Sequence, residues 1–339
     1  MITINEVLKQ KKEVISEVTM SNGFIEIKAL TLGATITSFR LVNHGENIVC
    51  SYQDKEQYLN NSYYLGSTIG PLAGRTKNGQ FEMDGKVYQL DINDKTNHLH
   101  GGKTGLHTVN MDVYYEDDDR FPSLVFAKEV DHTAGGYPSK IKYIVTYKLA
   151  GYTLIVNHKA FPQSKTPINM TTHMYFNLGN SDTILDHLLA VDAYEVVKLD
   201  DTNCPSNEKI NTVNTAFDFR VPNTIRKIVK RNHPQFELTR LIDHPFILTD
   251  KHSITLFEPT NKQSLNIKST GEVAVIYTAN FFDEGFVNEK GQKAKNYSAI
   301  AIEPSNVPNG VNLDFKAEKF YTKEEPFDMT SHYTLSTKK

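Results

Sequence analysis

The run Lys140-Ile-Lys-Tyr-Ile-Val-Thr-Tyr-Lys-Leu149, with Gly151 and then Tyr152-Thr-Leu-Ile-Val-Asn-His-Lys-Ala160, decides the fold class. Successive side chains of a strand point to opposite faces, so an apolar period of two marks a strand half-buried in a sheet. Ile141, Tyr143, Val145, Tyr147 and Leu149 fall on one face, while Lys140, Lys142, Thr146 and Lys148 fall on the other. The glycine between the halves supplies the turn of a hairpin. The same pattern recurs upstream. Glu17-Val-Thr-Met20, then Ser21-Asn-Gly23, then the alternating run 24–32 predict a hairpin whose Asn-Gly pair provides the positive φ angles of a tight turn. Residues 34–41 form another β-branched run, and His44-Gly45 turns the chain into 47–50. Runs 80–83 and 86–92 flank a second turn, Asp84-Gly85, and strands resume through 108–116 and 123–130.

Further on, 182–191, 194–198, 225–229 and 253–260 are short candidate elements separated by Pro, Asn and Asp. Helical periodicity is nearly absent, the best short candidate being 5–17. Many short strands with closely spaced turn signals, no internal repeat and no Pro/Ser-rich linker predict an all-β chain. The expectation is one large, mostly antiparallel β-sandwich spanning 1–339, with few short helices.

Composition narrows the function classes. The chain has 339 residues, 39% hydrophobic and 23% charged, which suits a soluble globular protein with a sizeable core rather than a disordered or membrane protein. With 37 basic against 40 acidic side chains and no concentrated Lys/Arg patch, neither a nucleic-acid nor a lipid footprint is present, and a small neutral partner is expected. Cys50 and Cys204 have no metal-ligand or redox spacing, which points to a reducing cytoplasm. No signal-peptide core or membrane-spanning apolar run is found.

Four places carry chemistry. Lys165-Thr-Pro-Ile-Asn-Met-Thr-Thr-His-Met-Tyr-Phe-Asn-Leu178 mixes polar and apolar residues in a strand-like run around His173, as the lining of a site would. Leu65-Gly-Ser-Thr-Ile-Gly-Pro-Leu-Ala-Gly-Arg-Thr-Lys-Asn-Gly79 is too rich in glycine for a regular element and offers Arg75. It lacks the Gly-Lys-Ser ending and the strand and helix context of a phosphate-binding loop. Asn93-Asp-Lys-Thr-Asn-His-Leu-His-Gly-Gly102 offers His98 and His100. Two residues apart on an extended segment they would share a face, but the third and fourth ligands of a metal site are missing, which favours structural or substrate-binding histidines. Finally, Glu303 ends the apolar run Ala299-Ile-Ala-Ile302, where a carboxylate must be solvated, paired or used. With Asp243 beside His244, these residues could meet only through the fold. A histidine and a glutamate suit the movement of two protons in one reaction, yet the residues alone favour a packed core histidine and a salt-bridged strand end.

Taken together and in order, these motifs resemble the aldose 1-epimerases, also called galactose mutarotases. The resemblance rests on Leu65-Gly-Ser-Thr-Ile-Gly70 with Gly74-Arg75 and Asn78-Gly-Gln-Phe81, on Asn97-His-Leu-His-Gly-Gly102, and on 166–178 nearly throughout. Phe217-Asp-Phe-Arg220, Asp243-His-Pro-Phe246, Tyr277-Thr-Ala-Asn280, Ile302-Glu303, Pro308-Asn309 and Asn312 complete it, so that it covers about 23–333. It implies a supersandwich of the galactose mutarotase type, no metal or organic cofactor, and interconversion of the α and β anomers of free aldoses such as galactose and glucose. Carried over by position, Glu303 is the general base and His173 the general acid, with Arg75, His100 and Asp243 holding the sugar. Glu303 would start ionised and His173 protonated, and Tyr175, Phe281 and Phe282 are candidates to stack on the sugar.

The chain departs from the family at several points. Gly74 stands where many members have Asn, Val275 where many have Gln, and Glu303-Pro-Ser305 where Glu-Thr-Gln is frequent; the Pro-Gly-Glu usual near the C-terminus is missing around 316–323. These changes thin the contacts that choose among hexoses. The alternatives are therefore a non-catalytic carbohydrate-binding sandwich or an epimerase of a modified or phosphorylated sugar. Monomer and homodimer both remain open.

Overall fold

A computed structural model describes residues 1–283, 285–315 and 319–337. Part of the region expected to lack the Pro-Gly-Glu motif, 316–318, and the last two residues of the chain lie outside the described residues. The described residues form antiparallel sheets, with two α-helices among them, Ile225–Val229 and Pro234–Thr239, and several short 3-10 segments. A nine-stranded sheet runs in the order Asp112–Glu116, Ser123–Asp131, Lys140–Ala150, Thr153–Pro162, Phe327–Thr337, Gln263–Ser269, Ser253–Phe257, Leu188–Val191, Asn223–Thr224. A six-stranded sheet runs Tyr175–Phe176, Ile300–Ser305, Val273–Tyr277, Asp243–Leu248, Ala193–Leu199, Pro205–Asn211.

The hairpin that set the expectation sits near the centre of the large sheet. Tyr143 lies opposite Ala160, Val145 opposite His158 and Tyr147 opposite Val156, and these residues are buried. Their inward face joins the inward residues of the six-stranded sheet, such as Phe246, Ile276, Ile300 and Ile302, in one hydrophobic cluster. The C-terminal strand Phe327–Thr337 pairs with Thr153–Pro162 on one side and Gln263–Ser269 on the other, so distant parts of the chain share one sheet.

The N-terminus corrects an expectation. Residues 5–17 form no helix: Ile2–Gln10 and Glu13–Ser21 pair as antiparallel strands with Asn5 opposite Glu17, and Lys11 turns the chain at φ 57°. A lysine gives no turn signal in sequence, and a bulge between Glu6 and Leu8 breaks the alternation that would have revealed the strand. Pairing of Glu13–Ser21 with Ile25–Leu30 then buries Val18 and Met20, so tertiary packing overrides the local preference. The Asp84-Gly85 turn is as expected, both residues adopting positive φ, whereas in the first hairpin only Gly23 does so: the tip is Gly23-Phe24, and Asn22 Oδ1 accepts the Phe24 and Ile25 N–H groups at 3.1 Å.

Candidate active site

One face of the six-stranded sheet forms the floor of a cavity of about 380 Å³. Register fixes which side chains reach it. On Ile300–Ser305, Glu303 and Ser305 share a face, Val275 lies opposite Glu303, and Asp243 lies opposite Tyr277; all five line the cavity. Intervening residues point into the core. His244, beside Asp243, is one of them: its Nδ1 accepts the Asp243 backbone N–H at 3.0 Å and its ring packs on Phe217, so it belongs to the core and not to the site.

His173 arrives from the other direction. The glycine-rich loop pairs with the histidine run through Thr171 opposite Ile69 and Thr172 opposite Thr68. The backbone of His173 is then clamped, its N–H donating to Ser67 O and its carbonyl accepting from Gly66 N, both at 2.9 Å. This clamp brings His173 Nε2 to 3.3 Å from Glu303 Oε1, with each residue 4% exposed. The Tyr175 ring packs on the imidazole at 4.8 Å. The acid and base of the sequence reading converge, although 130 positions in chain order divide them.

The wall opposite is made by two loops. Arg75 pairs in register with Leu99, which folds the His98–His100 loop onto the arginine loop. Arg75 Nε donates to Asp94 at 2.6 Å, and its Nη1 stands 3.6 Å from Asp243 Oδ2. His100 takes a positive φ of 52°, so the extended geometry ends before it and the two histidines part. His98 turns inward to Tyr137 at 2.8 Å and the Asp91 carbonyl at 2.7 Å, while His100 lines the cavity. Because His100 Nδ1 accepts the Gly74 N–H at 3.2 Å, its neutral ring carries the proton on Nε2 and can donate to a ligand oxygen. Among the described residues no three His, Cys, Asp or Glu side chains are grouped to hold a metal ion.

Gly74 is enforced by its surroundings. It sits at φ +74°, and a Cβ there would lie 2.5 Å from the Pro308 side chain, so the missing amide could not be restored by substitution at this position alone. Of the three aromatics expected at the sugar, Tyr175 and Phe281 reach the cavity. Phe282 does not: it is fully buried behind it against Tyr63 and Tyr175. Among the polar lining residues to which the sequence assigns no role are Tyr64, Asp94 and Tyr277. Tyr64 belonged to a visible tyrosine cluster and Asp94 to the quoted histidine loop, but no local spacing reports which of their side chains turn inward.

Burial dominates the electrostatics. It pushes His173 down to about 3, and it lifts Glu303 well above the usual carboxylate range, helped by the charge of Asp243 and opposed by Arg75. Asp243 is also raised by burial, against the pull of Arg75. His100 is pushed well below the usual imidazole range by burial and then by the neighbouring His173 and Arg75. Both members of the floor pair therefore lean to their neutral forms in the dry cavity. The expected ionised Glu303 and protonated His173 are the other arrangement of the same single proton. The ion pair is not the form that burial selects.

A paired imidazole and carboxylate line a ligand-sized cavity on a supersandwich of antiparallel sheets. The family model described as aldose 1-epimerase matches residues 16–324, and the chain belongs to that family. Human galactose mutarotase is 29% identical over 331 residues, covering 95% of this chain and 94% of the human one. Maltose epimerase from Levilactobacillus brevis is 26% identical, with 92% of each chain covered. The solved galactose 1-epimerase of Lactobacillus acidophilus superposes with a TM-score of 0.91 at 25% identity, covering 100% of this chain and 99% of that one. The protein is an isomerase of the mutarotase type.

Proposed function

We propose that this protein interconverts the α and β anomers of free aldohexoses such as galactose and glucose by opening and reclosing the pyranose ring. The observation that carries the reading is the 3.3 Å contact between His173 Nε2 and Glu303 Oε1 on the floor of a cavity of sugar-binding size. The reactive form is the one in which the shared proton sits on His173. Glu303 removes the proton of the C1 hydroxyl, the electron pair left on O1 forms the second C1–O1 bond of the aldehyde, the C1–O5 bond breaks with its electrons going to O5, and His173 delivers its proton to O5. Rotation about C1–C2 and the same steps in reverse give the other anomer. O1 and O5 are on one carbon, so two groups in contact with each other can serve both.

A sugar hydroxyl donating to Glu303 and the charge of Arg75 both favour the ionised carboxylate, so substrate entry moves the shared proton toward His173. Arg75, the Nε2–H of His100 and Asp243 hold the ring, and no metal or organic cofactor takes part in the proposed steps. The chain acts as one catalytic unit, as monomer or homodimer. A reducing cytoplasm suits its two buried free cysteines, and among the described residues no helix is long and apolar enough to cross a membrane. Neither a nucleic acid nor a membrane surface is a partner in this reading.

The likeness to a maltose epimerase and the room in the cavity favour a second reading, in which the reducing unit of a disaccharide is accepted. Polarimetry of freshly dissolved α-glucose, α-galactose, α-maltose and α-glucose 6-phosphate tests both. Acceleration over buffer on the two monosaccharides is expected; acceleration on maltose or the phosphate alone moves the substrate class, and none on any sugar overturns the reading.

A further inference from the structure

Asp94 stands in the cavity wall and has no task in the proton transfers. The turn that carries it is held firmly. Asp94 and Asn97 exchange backbone hydrogen bonds of 3.1 and 2.8 Å, and the Asn93 amide clasps the backbone of Leu99 at 2.7 and 3.0 Å. Leu99 in turn pairs with Arg75. Asp94 Oδ2 is taken by Arg75 Nε, while among the described residues Oδ1 has no hydrogen-bond partner. The Tyr64 hydroxyl shares this wall and is likewise without a protein partner among the described residues. Burial first, and then the charge of Asp94, raise it to about 12, so it stays a neutral donor.

A sugar hydroxyl has one proton to give and lone pairs to receive. A carboxylate oxygen beside a guanidinium meets both needs at once, the hydroxyl donating to Asp94 Oδ1 and accepting from Arg75. Gly74 and Val275 put no hydrogen-bonding side chain into this cavity, so the wall must supply polar contacts by other means. We infer that Asp94 is a substrate-binding residue that accepts the proton of a sugar hydroxyl at the wall, restricting the substrates to aldoses with a free hydroxyl at that position. The inference rests on the aldose epimerase reading of the same cavity.

The test pairs the residue with the hydroxyl. Rates on glucose and on its 2-, 3-, 4- and 6-deoxy analogues are measured for wild type, Asp94→Ala and Asp94→Asn, and glucose binding is measured by calorimetry in Glu303→Gln with and without Asp94→Ala. Removing one hydroxyl should cost wild type about ten- to a hundredfold in kcat/KM, as expected for a hydrogen bond to a charged group. Asp94→Ala should lose a similar factor on glucose, mostly in KM, and none on that one analogue. Asp94→Asn, with an isosteric acceptor, should recover part of the loss, and it carries the same readout if the alanine variant does not fold. An equal loss on glucose and on every deoxy analogue would make Asp94 only the counter-ion of Arg75 and overturn the inference. If wild type binds glucose without hastening anomerisation, the reaction fails while the binding contrast still decides Asp94; no glucose binding at all overturns both.

Discussion

The side chains of His173 and Glu303 on the floor of the cavity are 5% and 6% exposed, whereas those of Arg75 and Asp94 on its wall keep 21% and 23% of their surface open. The floor groups belong to segments pinned by strand pairing and by the backbone clamp on His173, and burial sets their protonation. The wall groups ride on two loops paired through Arg75, Thr76, His98 and Leu99, where the Arg75 guanidinium lies between the carboxylates of Asp94 and Asp243. In the proposed reaction, proton transfer falls to the dry floor and recognition to the more exposed wall. Substitutions on the floor should be felt in kcat and those on the wall in KM.

The largest effect expected is on the floor. Glu303→Gln and His173→Gln should each lower kcat by about two to four powers of ten with a much smaller change in KM, read by polarimetry of α-galactose. A loss confined to KM would erase the contrast. Next comes the wall. Arg75→Lys removes the planar fork that meets Asp94 and Asp243, and should raise KM about tenfold or more while kcat falls less. An equal fall in kcat would move Arg75 to the floor group.

The pH profile sharpens the same division. The active floor holds one proton, and a second is added only near the depressed value of His173, about 3. On the alkaline side the proton is lost as pH rises through the raised value of Glu303. Hence kcat/KM should show no acidic limb near 6.5 and should decline on the alkaline side; a limb at the ordinary imidazole value would show that His173 is not desolvated.

The smallest effect is on stability. A carboxyl whose pKa is raised on folding favours the native state below its unfolded value, about 4.5, and that contribution is lost as pH rises through the folded value. Glu303→Gln removes this penalty and should raise Tm by a few degrees at pH 8 but not at pH 4, at the cost of activity. An unchanged Tm at pH 8 would contradict the burial of an ionisable Glu303.

How much of this was legible in the sequence differs between the two halves in the same way. The strands that build the floor announce themselves by alternation and by turn pairs such as Asn22-Gly23, because burial on one face imposes a period of two. His173 and Glu303 stood out as polar groups inside strand-like runs. The wall did not show itself as readily. That Asp94 meets Arg75 depends on the register of two short loops. His98 and His100 look equivalent in sequence but part at a single positive φ, and Lys11 turns the N-terminal hairpin without a glycine. Protonation was also out of reach: two opposite charges suggested an ion pair, whereas full burial pushes both groups toward neutrality.

In the proposed reaction His173 and Glu303 act as one proton-sharing pair. The most direct test compares the anomerisation rate of the double variant His173→Gln/Glu303→Gln with those of the two single variants on α-galactose. Residues that work as a unit are non-additive, so the double variant should be no slower than the slower single variant within about tenfold. Losses that multiply, giving the product of the two single effects, would show two independent groups and contradict the account.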